Sequence, residues 1–143
     1  MAATSLTDGD YQRLLEFRTG LRRFLRWSEE QADDVGLTAA QHQLLLAVRG
    51  FADPLGPTIG DVANALLLQH HSAVGLVDRA AAAGLVRRAV DPDDHRAVRL
   101  TLTTLGRDRL ESLSVRHLEE LHRLTPPLRS LWRGLADAAS DPR

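Results

Sequence analysis

Cysteine is absent from the 143 residues, which excludes a disulfide framework, a thiolate metal site and a thiol-based redox sensor. The single methionine is Met1, so methionine oxidation is not an available signal. Aromatic residues make up only 4% of the chain, leaving leucine, valine and alanine to fill the interior. Lysine is also missing: all 18 basic residues are arginine, whose planar fork suits phosphate and guanine better than an ammonium does, although a GC-rich genome would produce the same bias. The formal net charge of −1 excludes a broadly basic molecule, so any nucleic-acid surface must be local. No apolar run approaches the roughly 20 residues of a membrane helix, and the first residues lack the layout of a signal peptide; the expectation is a cytoplasmic protein. Neither a Ser-His-Asp elbow, a phosphate-cradling glycine loop nor a zinc-protease helix motif occurs, so an enzyme, a cofactor and a metal are not expected.

What is present fits one domain of 1–143 with an α+β, mostly α, architecture. Residues 1–9 are small and polar and read as a frayed end. Tyr11, Leu14, Leu15, Leu21 and Leu25 recur at helical spacing, giving a first helix from Asp10 to about Asp33. Thr38 and Gln41 form a capping box that starts a second helix near Ala39, and the glycines and prolines between Gly50 and Pro57 end it. Thr58 and Asp61 repeat the cap with a shorter arm and open a short helix at about 59–66. After a corner at Leu67–Gln69 a further helix is predicted from His70 to Ala83, with Ala73, Val74, Val77, Ala80 and Ala81 on one face and Gly84 as its stop. Leu85–Val90 and Ala97–Leu102 are β-type runs around a turn-rich tip, Asp91 to Arg96. Thr103 caps a long helix to Leu124, and Thr125-Pro126 is read as restarting a last helix that carries Leu128, Leu131, Trp132 and Leu135.

Two helices across a tight corner can lay the second into a major groove about 12 Å wide. Gln69, His70, His71 and Ser72 are then the candidates for base edges, with Gly75 permitting close approach and Arg79 further along. At the hairpin tip Arg96 has the reach and permanent charge for a neighbouring minor groove.

The runs Thr58–Ala63, Ser72–Arg79, Gly84–Arg88, Asp91–Arg96 and Leu102–Gly106 resemble the successive motifs of the MarR family of bacterial transcription regulators. The likeness follows element order over 11–138; its more specific part is Asp94-His95-Arg96 followed by Leu-Thr-x-x-Gly. It implies a homodimeric winged helix-turn-helix repressor of a palindromic operator, released by a small ligand. About 38–102 would be the winged-helix lobe with its wing at 85–102, and about 10–36 and 103–139 the dimerisation scaffold. It also implies that Arg96 is the minor-groove arginine and that Asp94 pairs with Arg88 to set the wing, which is plausible for residues flanking a hairpin tip. The chain departs from the pattern at Ala80, where leucine is usual, and in the alanine run after it.

Twofold symmetry would double the base contacts of one winged helix. Tyr11, Leu14, Leu113, His117, Leu121, Leu128, Leu131, Trp132 and Leu135 are the expected dimer surface. Trp27, His42, Arg49 and His117 are the residues that could converge on an effector, and arginine there would favour an anionic aromatic one. The alternatives are a winged-helix module that binds protein instead of DNA, and a metal-responsive regulator using His117, Glu120 and His42 or the acidic wing tip.

Overall fold

The computed structural model describes residues 5–140. Five helices and one hairpin follow in the order α1 (Asp8–Asp34), α2 (Ala39–Arg49), α3 (Ile59–Leu66), α4 (His70–Ala82), β1 (Val86–Val90), β2 (Val98–Leu102) and α5 (Thr104–Ser140). The described residues form two compact units, 31–115 and the pair of flanking segments 5–30 and 116–140. The division therefore falls inside α1 and α5, whose inner ends belong to the central unit.

That central unit is built around Leu44, Leu45, Val62, Val77, Leu85, Leu100 and Leu113, all fully or almost fully buried. Both predicted capping boxes form: Thr38 and Thr58 accept the amides of Gln41 and Asp61 and receive the reciprocal side-chain bonds. The corner between α3 and α4 is closed by Leu68 N donating to Ala63 O at 2.9 Å, with Leu67 in the left-handed conformation at φ 55°. Leucine resists that conformation, and its side chain is 93% exposed, so it gains little packing in return. Leu67→Gly is therefore expected to stabilise the protein by up to about 1 kcal/mol, read as a rise of a few degrees in thermal midpoint.

The two strands pair antiparallel, Val86 opposite Leu102 and Val90 opposite Val98. Leu100 and Leu102 point into the core, as the alternation predicts. A third segment joins the sheet edge through a bridge between Thr58 and Arg99 and a 2.9 Å bond from Leu100 N to Pro57 O. The wing is thus rooted on the loop that precedes α3. Leu76 is buried on α4 beside the alanines and valines; the predicted face omitted it.

Three expectations change. The start of α1 is capped: Thr7 Oγ1 accepts from Asp10 N at 3.2 Å, while Asp10 Oδ2 accepts from Thr7 N at 2.8 Å. The helix therefore starts at Asp8, inside the stretch read as frayed, behind a capping box that the sequence reading missed; residues 1–4 lie outside the described residues. The break at Leu124 does not occur, and α5 runs through Pro126 and Pro127. Proline keeps a helical φ but withholds its N–H, so the carbonyls of His122 and Arg123 lose their donors; both residues are exposed and water can replace them. Finally, Leu113 is completely buried in the core of the central unit and offers no surface for a partner. Of the other expected interface residues, Tyr11, Leu14, Leu121, Leu128 and Trp132 are exposed and Leu131 and Leu135 are half-buried. His117 is engaged within the chain, its Nε2 at 2.6 Å from Ser28 Oγ and its ring 4.9 Å from that of Trp27.

Candidate nucleic-acid interface

The start of α4 is its most open part. Gln69 caps the helix by backbone alone, with no side-chain bond, and Gln69, His70, His71 and Ser72 are all exposed. Their polar groups and the unbonded first-turn amides are therefore available to a ligand. One turn on, Gly75 is half-buried, and the Arg79 guanidinium folds back over it, with Nη1 3.1 Å from where a Cβ would sit. The glycine makes room for this arginine in the free protein, and Arg79 stays on the exposed side of the helix.

The wing is held by a residue that the sequence reading passed over. Arg99 Nε donates to Asp91 Oδ2 at 2.7 Å, Nη1 donates to Gly56 O at 3.1 Å, and the same nitrogen lies 3.8 Å from Asp53 Oδ2. Asp91 is only 4% exposed; its other oxygen accepts from the amides of Asp93 and Asp94 at 2.7 and 3.1 Å. One carboxylate thus folds the tip and ties it to the root. An Asx turn at Asp91-Pro-Asp was legible in the sequence, but its arginine partner eight residues away depends on strand register.

The Asp94–Arg88 pair is not formed. Arg88 stands opposite Leu100, well inside the hairpin, and its guanidinium pairs with Asp78 of α4. Asp94 instead accepts from the backbone amide of Arg96 at 3.0 Å and lies 3.4 Å from its Nε. The acid at the tip therefore orients Arg96, while Arg88 braces α4 against the wing. The Arg96 side chain is 94% exposed, free to reach outward.

The Arg99 guanidinium and the two loop amides hold the Asp91 carboxyl below the usual carboxylate range. A depressed carboxyl pKa contributes stability above its unfolded value, about 3.9, and loses it as pH falls through the lower folded value. The wing is therefore expected to loosen below about pH 4, seen as faster amide exchange at 91–97, and Asp91→Asn should flatten that dependence while lowering stability at neutral pH.

The four expected effector residues divide. Trp27 and His117 pack together with Phe24 in the flanking unit, whereas His42 is buried on α2 and Arg49 is exposed at the end of that helix. Glu120 is held by Arg123 at 2.6 Å, and among the described residues no group of three or more potential ligands is placed to hold a metal ion. No helix of the described residues is long and apolar enough to cross a membrane.

A two-helix corner, an exposed second helix and a hairpin rooted beside it define a winged helix-turn-helix protein. Residues 35–97 match the model of the MarR family. The chain is similar over most of its length to BpsR of Bordetella bronchiseptica, 28% identical at a TM-score of 0.64 over 91% of this chain and 99% of that one, solved in a study of the regulation of its DNA binding by 6-hydroxynicotinic acid. It is also similar to the transcriptional repressor CouR bound to a 23-mer DNA duplex, 26% identical, TM-score 0.69, covering 95% and 99% of the two chains. AbsC, a MarR family regulator from Streptomyces coelicolor, shares the fold at a TM-score of 0.73 and 20% identity over 88% and 84%. A sequence comparison with curated proteins finds no match. Residues 35–97 thus resemble the MarR family of transcription regulators, and the described residues share the fold of these solved regulators.

Proposed function

We propose that the protein is a homodimeric, sequence-specific DNA-binding repressor of a palindromic operator, released by a small ligand. The observation that carries this is the joint exposure, within one compact unit, of the polar start of α4 and of Arg96 at the tip of an anchored wing. The first suits base edges in a major groove and the second a neighbouring minor groove. Dimerisation is supported by the apolar side chains the flanking unit leaves in water, among them Leu14, Leu118, Leu128 and Trp132. Release by a ligand is supported by the likeness to BpsR, whose DNA binding responds to 6-hydroxynicotinic acid.

The test is a binding titration on genomic fragments selected with the protein itself, repeated across a range of salt. Binding should weaken steeply with ionic strength, because phosphate contacts release counterions. Absence of salt-dependent DNA binding would favour a protein-interaction module. Leu128→Asp with Leu131→Asp should yield a monomer by light scattering; a tight dimer would remove that surface from the interface.

A further inference from the structure

On the β2 side of the central unit, the end of α2, the loop after it, β2 and the first turn of α5 line an open hollow of about 370 Å³. That volume lies in the range of small-molecule sites, roughly 300–1,000 Å³. Arg49 and Arg107 both line it, together with Val48, Phe51, Asp53 and Leu102. Neither guanidinium has a hydrogen-bond or ion-pair partner among the described residues. Asp53 is the one acid in the lining, and it is already engaged by the Leu55 amide at 2.9 Å and lies near Arg99. The hollow therefore carries positive charge that no group among the described residues neutralises. Arg107 sits in the first turn of α5, which holds no acidic residue and where the helix dipole disfavours a cation. Phe51, 37% exposed, supplies a ring face next to the apolar Val48 and Leu102.

We infer that this hollow binds a small organic anion, its carboxylate or phosphate oxygens taken by Arg49 and Arg107 and its apolar body laid on Phe51 and Val48. Guanidinium forks donate in a bidentate manner to either oxyanion. Occupation reaches the wing because Asp53 and Gly56 line the hollow and also hold Arg99, the residue that ties the wing tip to its root. An anion beside Asp53 competes with it for cationic partners and shifts the Arg99 clamp. Arg49 thus serves a site within the central unit, whereas Trp27 and His117 belong to the flanking one. The coupling deepens the ligand-release reading and rests on it; binding at the hollow is measured without DNA.

The experiment titrates benzoate and phenyl phosphate, with benzyl alcohol as the neutral control, into the full chain by calorimetry, and follows amide exchange at 86–102. Saturable binding of one or both anions, no binding of the alcohol, and at least a tenfold weaker affinity in Arg49→Ala/Arg107→Ala are expected; the better anion tells carboxylate from phosphate. Arg49→Gln/Arg107→Gln, checked by circular dichroism, serves if the alanines unfold the chain. Absence of saturable binding by either anion, or equal affinity in the folded double variant, overturns the site. Binding that leaves exchange at 86–102 unchanged overturns the coupling. Neither result depends on whether the protein binds DNA, so failure of the repressor reading is seen separately.

Discussion

Gly56→Ala is expected to lower the thermal midpoint by about 10 °C or more, a loss of roughly 3 kcal/mol or more for a domain of this size. Two independent costs fall on one residue. Its φ of +84° is one that alanine resists, and an added Cβ would come within 3.0 Å of the Leu100 carbonyl. That carbonyl belongs to backbone fixed on both sides, by the hairpin and by the bond from Leu100 N to Pro57 O, so it cannot step aside. Gly84 provides the comparison: φ is +74°, yet nothing lies within 4 Å of its Cβ position, so alanine there should cost only about 1 kcal/mol. Gly106 shows the converse, with no positive φ but a Cβ that would collide with the Leu85 carbonyl, and its alanine variant should fall between the two. Calorimetric melting of the three variants checks the order. A Gly56→Ala protein melting within about 2 °C of the parent would mean that the wing is not rooted on the loop before α3.

Arg96→Ala should weaken operator binding by about 10- to 100-fold at fixed salt, with the oligomeric state unchanged and the salt slope reduced by about one. The side chain is almost entirely in water, and its one bond within the chain, to Asp94, is long and exposed, so its removal costs the fold little. What is lost is a permanently charged reach at the tip of a hairpin held by Asp91 and Arg99. Arg99→Ala should weaken DNA binding too, but with a lower melting temperature, because it releases Asp91, Gly56 and Asp53 together. Fluorescence anisotropy beside a thermal melt separates the two arginines. Equal affinity of the Arg96→Ala protein and its parent would remove the wing tip from the interface.

Most elements could be read in the chain because their signals are local. The boxes at Thr38 and Thr58 and the alternation through Leu100 and Leu102 each occupy a few consecutive residues, and each forms as read. The cap at Thr7 and Asp10 is of the same kind and was obscured only by the polar composition around it. Pro126 misled because a proline that starts a helix and one that an exposed helix tolerates have the same neighbours in sequence. Ala80, where the pattern that the sequence resembles has leucine, is fully buried in the same core cluster as Leu76, Val77 and Leu85.

By itself the sequence determined the order of elements from α1 to the hairpin, the corner before α4 and the exposed Arg96, since caps, breakers and hydrophobic period act over one or two turns of chain. Only the tertiary structure decided the partners: Asp91 with Arg99, Arg88 with Asp78, Arg99 with the Gly56 carbonyl, and the meeting of Arg49 and Arg107 at one hollow. Each joins residues on different elements. Which charge meets which is set by strand register and helix packing, and those follow from burying one shared core, which no local pattern encodes.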